Sequence, residues 1–353
     1  MKDIISKIKV KEDLSIKEAL KLIDETGRRI LFICNGDGSL LGSLTDGDIR
    51  RRVLKTGDLK EKITTCFNRT PIFILDGNNN TEEAKRIMLE KSIDIIPVVD
   101  KKKNILEVFF YSDIFGKENS YYTKTDVPVV IMAGGKGDRL DPFTKILPKP
   151  LIPIGEKPII EIIIEKFRRQ GVERFYVTLN YKGEMVKNYF DSIEKDYTIE
   201  YTWEEEFLGT AGSLKLLPQT IKDTFIVSNC DIIVDADYAD LVKFHKKNNN
   251  LLTVVGSIQH HKMPYGIIHY KEEGKISQIH EKPEFDFTVN TGAYVLSKDA
   301  ISHMPEEKHF DMTDFINVLL EKKENVGVYP VSQRSYVDIG QWEEYKKYTD
   351  KLI

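Results

Sequence analysis

Four places in the sequence of 353 residues gather side chains that could do chemistry together. The apolar run Pro128–Met132 leads into Ala133-Gly134-Gly135-Lys136-Gly137-Asp138-Arg139-Leu140. Glycines at the end of a strand let the backbone bend tightly and bring its N–H groups against a phosphate with no side chain in the way. Arg139 then supplies a planar, permanently charged fork for phosphate oxygens. The run lacks the Gly-Lys-Ser/Thr of a Walker loop and the Gly-x-Gly-x-x-Gly of a dinucleotide fingerprint. Glycine-rich turns of this kind also serve purely structural ends, so the loop alone does not decide. Next comes Pro148-Lys149-Pro150-Leu151, with Lys157-Pro158 after it; a lysine between two prolines is either an aimed cation or a surface lysine in a stiff loop. Asp231 follows the apolar run FIVSNC, which would put its carboxylate at the C-terminal end of a strand, where open α/β sheets bind ligands. Taken singly it could equally be a helix N-cap or turn aspartate. Asp338 follows a second β-rich run, GVYPVSQRSYVD. Glu281-Lys282, on its own, reads as a solvated charge pair.

The elements that must position these residues follow from hydrophobic period. Pro128–Met132 reads as a buried strand and PIIEIIIEKFRRQG as a helix opening at Pro158 and closing before Gly171. A strand is expected at 175–179, a helix near 183–191, a strand at 199–203, a helix near 211–217 and a strand at 225–227. This alternation predicts an α/β fold with a Rossmann-like, mostly parallel sheet and helices on both faces. Upstream the pattern differs. Residues 15–49 lie over residues 80–114 without a gap, setting Ala19 on Ala84, Ile30 on Ile95, Ile33 on Val98, Leu40 on Ile105 and Asp48 on Asp113. Each copy reads as a short amphipathic helix, two short strands and the start of a second helix. One such unit buries too little surface alone, so the two copies are expected to pack as one pseudo-symmetric α+β domain. The polar stretch GKENSYYTKTD (116–126) reads as the connection. The expected division is a repeat domain over 1–119, a linker over 120–126 and a second domain over 127–353.

Composition restricts the function. Hydrophobic residues make up 41% and charged residues 31%, and the net charge is −4, so nothing favours a grip on nucleic acid or an anionic membrane. The charged N-terminal stretch lacks the apolar core of a signal peptide, and no apolar run approaches membrane-spanning length. Three scattered cysteines form neither metal-ligand spacing nor a disulfide framework, which fits a cytoplasmic protein.

The stretch AGGKGDRLDPFTKILPKPLIPIGEKP resembles the signature of the sugar-phosphate nucleotidyltransferases, which join nucleoside triphosphates to sugar-1-phosphates. Six further motifs fall in that family's order: Leu208-Gly209-Thr210-Ala211-Gly212, Asn229-Cys230-Asp231, Pro264-Tyr265-Gly266, Glu281-Lys282-Pro283, Asn290-Thr291-Gly292 and Asp338-Ile339-Gly340. The resemblance implies that Asp231 and Asp338 share one Mg²⁺, whose other ligands are phosphate oxygens and water. It implies that Gly134, Gly135 and Gly137 cradle the triphosphate and that the Gly209–Gly212 loop reads the nucleobase through backbone groups. It places Gly266, Glu281, Lys282 and Asn290 around the sugar phosphate. Asp138 stands where the family usually has threonine or serine, and Cys230 replaces a common glycine as buried packing. The implied reaction is an in-line displacement at the α-phosphorus by an oxygen already anionic. It needs no catalytic base, and none is evident among the seven histidines. Arg139 would hold the departing pyrophosphate, Lys149 the α-phosphate and Lys282 the incoming anion.

Residues 1–119 resemble a pair of cystathionine-β-synthase-type (CBS) repeats, which commonly bind adenine nucleotides. Gly42-Ser43-Leu44-Thr45-Asp46-Gly47-Asp48 fits their ligand element, with Thr45 toward phosphate and Asp48 toward ribose. In the second copy Phe110 replaces the threonine and Glu107 the glycine while Asp113 remains, so at most one cleft keeps the whole motif. A ligand-binding role and a structural role both stay open. Such repeats often self-associate, so a homo-oligomer is expected. Repeats ahead of this transferase domain resemble the glucosamine-1-phosphate guanylyltransferases of legionaminic acid synthesis. The resemblance implies no hexapeptide-repeat acyltransferase domain, unlike the bifunctional UDP-N-acetylglucosamine enzymes. GTP and glucosamine-1-phosphate are therefore the expected substrates. The alternatives are mannose- or heptose-1-phosphate guanylyl transfer and UTP- or dTTP-dependent transfer. A catalytically idle nucleotide sensor is the reading of a different class, and the intact Arg139, Lys149, Asp231 and Asp338 speak against it.

Overall fold

The computed structural model describes residues 2–77, 79–91, 93–116, 123–306 and 309–350. The chain divides into two compact units, residues 1–122 and 123–353. Of the expected linker, residues 120–122 lie outside the described residues. Thr125 already belongs to the second unit, where its amide donates to the Gln170 carbonyl at 2.8 Å. Among the described residues no helix is long and apolar enough to cross a membrane.

In the first unit the repeat is visible as matching elements. Strands Lys9–Val10, Ile30–Cys34 and Leu40–Thr45 form one three-stranded sheet, and Ile74–Leu75, Ile95–Val99 and Ile105–Phe110 form the other. The copies touch through a backbone bridge between Ser39 and Asn104 and through Lys9, whose Nζ donates to the Ile105 carbonyl at 2.7 Å. Their second helices differ, and the cause is local. In the first copy Thr45 and Asp48 form a capping box, each side chain accepting from the other's backbone N–H, and the helix Asp46–Thr56 runs to a left-handed Gly57. In the second copy Phe110 occupies the cap position with no acceptor to offer, and the helix Tyr111–Phe115 stops at Gly116.

The second unit is a three-layer α/β/α sandwich. Its seven-stranded sheet has the order Thr198–Trp203, Arg174–Leu179, Val129–Met132, Thr224–Asn229, Glu284–Ser297, Leu252–Lys262, Val326–Val331. Glu284–Ser297 is antiparallel to both its neighbours, and the other neighbouring pairs run parallel. The predicted mostly parallel sheet is therefore present, and Val129–Met132 lies near its middle. Alternate side chains serve opposite faces. Val129 and Ile131 join helices Ile159–Arg168, Gly183–Asp191 and Tyr238–Lys247 in one core, while Val130 and Met132 pack with helix Met312–Glu321 in the other. Ile159–Arg168 forms as expected, with Pro158 as its cap, apolar residues on one face, and Lys166 and Arg168 in its last turn. The helix expected near 211–217 is present in short form, as one α-helical turn, Gly209–Gly212, continued by the 3-10 segment Ser213–Leu216. Gly209 at φ 76° forces the entry, and two glycines within four residues give little helical propensity.

Candidate active site

Parallel strands deliver their C-terminal ends to one edge of the sheet, and the motif residues collect there. The glycine-rich turn leaves strand Val129–Met132 at Ala133. Gly137 is left-handed at φ 75°, and a Cβ there would sit 2.9 Å from the Lys149 Cβ and 3.2 Å from its Cδ. The turn is therefore moulded against the Lys149 stem, which only glycine permits. Lys149 heads a 3-10 turn, Lys149–Leu151, between Pro148 and Pro150. Upstream of it, Lys182 holds the loop by donating to the carbonyls of Thr144, Lys145 and Ile146.

Asp231 and Asp338 meet across a short antiparallel ladder in which Ile232 pairs with Asp338. The Ile339 amide donates to the Asp231 carbonyl at 2.9 Å, locking the register. Asp231 is buried, and its Oδ2 accepts from the Lys149 Nζ in a close ion pair. A Cβ on Gly340 would strike Asp231 Oδ2 and lie 2.9 Å from Lys149 Nζ and 3.0 Å from Asp338 Oδ1. Two carboxylates and an ammonium thus converge over one glycine Cα. Asp338 is steadied by the Gly340 amide at 3.0 Å and by Gln341, whose Nε2 donates at 2.8 Å. Burial pulls Lys149 down, but Asp231, Cys230 and Asp338 outweigh it, so the ammonium titrates above its ordinary value. Cys230 is buried, as expected, and burial pushes its thiol up to about 12, out of nucleophilic range.

Among the described residues no three His, Cys, Asp or Glu side chains gather as a metal cluster, so any cation here would rest on the aspartate pair. That pair fits one. Its donors are hard oxygens, and the Lys149 ammonium already stands beside them as a positive charge.

The remaining predicted residues lie on other turns and strands of the same unit. Arg139 is exposed on the 3-10 turn Asp138–Leu140, and Gly135 has open space where a Cβ would be. Asn290-Thr291-Gly292 abuts the end of strand Thr224–Asn229: a Cβ on Gly292 would lie 2.6 Å from Asn229 Nδ2. Asn290 itself accepts from the Gly292 amide and donates to the Tyr294 hydroxyl. Gly266 and Glu281 face each other, since a Cβ on Gly266 would be 2.8 Å from Glu281 Oε2. They sit with exposed Lys282 at the base of the hairpin Ile267–Tyr270/Ile276–His280. Among the described residues no hydrogen bond or ion pair joins Glu281 or Lys282 to the aspartate pair.

Sequence reasoning missed two acids. Glu204, just past strand Thr198–Trp203, is buried, and burial raises its carboxyl above the usual range. Its Oε2 accepts from the Leu208 amide at 3.3 Å, and a Cβ on Gly134 would lie 2.7 Å from its Oε1. Asp311, at the start of helix Met312–Glu321 on the same face of the sheet, accepts from both the amide and the hydroxyl of Thr210. The backbone of the Gly209–Gly212 loop is also less free than expected. The amides of Ala211 and Gly212 both donate to the Phe310 carbonyl at 2.9 Å, and that of Thr210 to Asp311.

A nucleotidyl transferase family model matches residues 128–353, and a CBS domain model matches residues 1–55 and 65–118. The chain belongs to the nucleotidyl transferase family. Among similar proteins, the mannose-1-phosphate guanyltransferase of Yarrowia lipolytica is 38% identical over 180 residues, 49% of this chain and 50% of that one. The UTP–glucose-1-phosphate uridylyltransferase of Synechocystis is 29% identical over 237 residues, 61% of each chain. The chain thus spans between half and two thirds of these relatives. The D-glycero-α-D-manno-heptose 1-phosphate guanylyltransferase of Campylobacter jejuni is 29% identical over 218 residues, 61% of this chain and 96% of that one. The crystal structure of HddC from Yersinia pseudotuberculosis superposes with a TM-score of 0.52 at 27% identity, covering 64% of this chain and all of that one. The same protein complexed with GMP-PN gives 0.51. This nucleotidyl transferase therefore carries CBS repeats ahead of a domain that resembles sugar-phosphate guanylyl- and uridylyltransferases.

Proposed function

We propose that the protein transfers a nucleoside monophosphate from a triphosphate to a sugar-1-phosphate, releasing pyrophosphate. The observation that carries this reading is the convergence of Lys149, Asp231 and Asp338 over Gly340, against the Gly137 turn. Asp231 and Asp338 would hold Mg²⁺, which supplies charge neutralisation to the phosphates when bound. Lys149 would offer its ammonium to the α-phosphate. Gly134, Gly135 and Gly137 would present backbone N–H groups to the triphosphate, and Arg139 would neutralise the departing pyrophosphate. Gly266, Glu281 and Asn290 would orient the sugar, with Lys282 on its phosphate. Alignment and charge do the work, since the attacking phosphate oxygen is already an anion.

We infer further that the nucleotide is GTP. Glu204 is an acceptor-only carboxylate between the glycine turn and the Leu208–Gly212 loop. Guanine offers it two adjacent donors, N1–H and the 2-amino group, whereas uracil and thymine offer one N–H between two repelling carbonyls. Two of the relatives described above are guanylyltransferases by name, which supports the same base. The repeat-plus-transferase arrangement supports glucosamine-1-phosphate as acceptor, in legionaminic acid synthesis for a bacterial surface glycan. The CBS pair is proposed to take an adenine nucleotide in the cleft of Thr45 and Asp48, although those side chains already cap a helix and Asp48 pairs with Arg51. Pyrophosphate release is the test, run with four triphosphates against glucosamine-, mannose-, heptose- and glucose-1-phosphate. Turnover with GTP and glucosamine-1-phosphate is expected; silence across the matrix defeats the transferase reading.

A further inference from the structure

The loop Leu208–Gly212 is fastened at its start and at its middle by carboxylates that its own sequence does not contain. At its start the Leu208 amide donates to Glu204. Further on, Asp311 Oδ1 accepts from the Thr210 amide at 2.8 Å and from the Thr210 hydroxyl at 3.1 Å. The Thr210 Oγ1 in turn accepts from the Met312 amide at 2.9 Å. Phe310 completes the clasp: its amide donates to the Leu208 carbonyl at 2.8 Å, and its own carbonyl receives the Ala211 and Gly212 amides. Gly209 is the residue this closeness demands. It sits at φ 76°, and a Cβ there would fall 2.7 Å from the Phe310 carbonyl oxygen and 2.9 Å from Asp311 Oδ1.

A second observation separates this clasp from ordinary helix capping. Asp311 occupies the N-cap of helix Met312–Glu321, a position where aspartate usually accepts from its own helix's early N–H groups. It makes no such bond. The carboxylate turns to Thr210 instead, and the Thr210 hydroxyl accepts from the first amide of the helix, that of Met312. The helix end and the loop are thereby tied to each other. The loop is thereby held as a rigid frame with Glu204 at one side and Asp311 at the other.

We propose that Asp311 is a positioning residue for nucleobase selection. Through Thr210 it fixes the gap between the loop and Glu204, and the size of that gap decides which base is accepted. The proposal rests on the transferase reading above, because it presupposes a nucleoside triphosphate between these elements. A slack loop would still admit the preferred base, but with fewer aligned contacts, and it would admit rivals it now rejects.

The experiment compares Asp311→Ala, Asp311→Asn and Thr210→Val in the full chain, with thermal melting to confirm folding. KM and kcat are measured for GTP, UTP and dTTP at saturating sugar-1-phosphate, and KM for the sugar-1-phosphate at saturating GTP. Two bonds to a charged acceptor are lost in Asp311→Ala, so KM for the preferred triphosphate should rise about tenfold or more. Its preference over the next triphosphate should fall by a similar factor, while kcat and the sugar-phosphate KM hold. Asp311→Asn keeps an acceptor oxygen at the same place and should restore most of the preference. Thr210→Val removes the hydroxyl alone and should fall between, and it keeps the test alive if Asp311→Ala folds poorly. Unchanged triphosphate selectivity in both Asp311→Ala and Thr210→Val overturns the proposal. So does a parallel loss of kcat and both KM values, which marks a merely structural role. A wild-type protein inactive with every substrate pair removes the transferase reading itself, and the proposal with it.

Discussion

Removing Asp231 should do two separable things, and the ion pair with Lys149 shows how to pull them apart. The Lys149 and Asp231 side chains are only 16% and 11% exposed, so Asp231→Asn leaves an ammonium buried beside a neutral amide. Breaking such a pair typically costs about 3–5 kcal/mol. Asp338 remains near Lys149 and softens the loss, so about 3 kcal/mol is the expected figure. In a domain of this size that lowers Tm by about 6–12 °C. Lys149→Met alone should cost a similar amount, since it strands Asp231 next to a second carboxylate. The double variant Asp231→Asn/Lys149→Met removes both charges and should come within about 1 kcal/mol of the wild type's stability, because neither half of the pair is left buried as an unpaired charge. Turnover should behave differently. Both single variants and the double should lose orders of magnitude in pyrophosphate release, since recovered stability restores neither charge. Urea denaturation and the pyrophosphate assay on the four proteins complete the cycle. Additive losses in the double variant would refute the stability argument, and near-normal turnover in Asp231→Asn would refute the catalytic one.

Excess Mg²⁺ should raise the Tm of the wild type by mass action and leave that of Asp231→Asn unmoved; equal shifts in both would place the cation elsewhere. Gly340→Ala should fold but lose about 10²-fold in turnover, because its Cβ would push into Asp231, Lys149 and Asp338. Glu204→Gln should narrow the preference for GTP over UTP. It should also raise stability at neutral pH, because the native carboxylate carries a burial cost that vanishes once acid protonates it in both states. His245 lies buried between the Thr253 and Ser297 hydroxyls, and burial lowers it to about 4, so the unfolded chain takes a proton that the native state refuses. Stability is therefore intact above the ordinary histidine range and falls by about 3 kcal/mol between pH 6.5 and about 4, a loss that His245→Gln should abolish in pH-dependent melting.

The parts of this protein legible in its sequence are those whose cause is local. A strand's apolar run followed by glycines announces itself because the backbone must turn there, and strand Val129–Met132 with its Gly134–Gly137 turn stands where the sequence places it. The repeat was legible for the same reason. Even the unequal second helices could be read from one substitution, since Phe110 has no oxygen to cap with and Thr45 has. Glu204 was hidden by its neighbours. Glu204, Glu205 and Glu206 look alike in sequence, and only the first is buried, because it directly follows the strand and turns under the glycine loop. The one available signal was its place immediately beyond Trp203 at the sheet's ligand-binding edge.

Asp311 was beyond reach for a different reason, and it shows what kind of residue a motif search overlooks. In sequence it is a good helix N-cap: an acid ahead of Met312-Thr313-Asp314-Phe315, outside every motif of the family. Its partner Thr210 is itself in a recognised motif, but as a loop residue whose backbone was expected to face a ligand. Both local readings are sound, and both are displaced by one long-range contact that satisfies the helix end and the loop together. A motif records which residues meet the substrate. It says nothing of the side chains that hold those residues at the right separation, because their requirement is a distance between elements and not a pattern within one. Positions where a local capping rule is satisfied in type but broken in geometry are therefore where such supports are to be sought, and Asp311 is one of them.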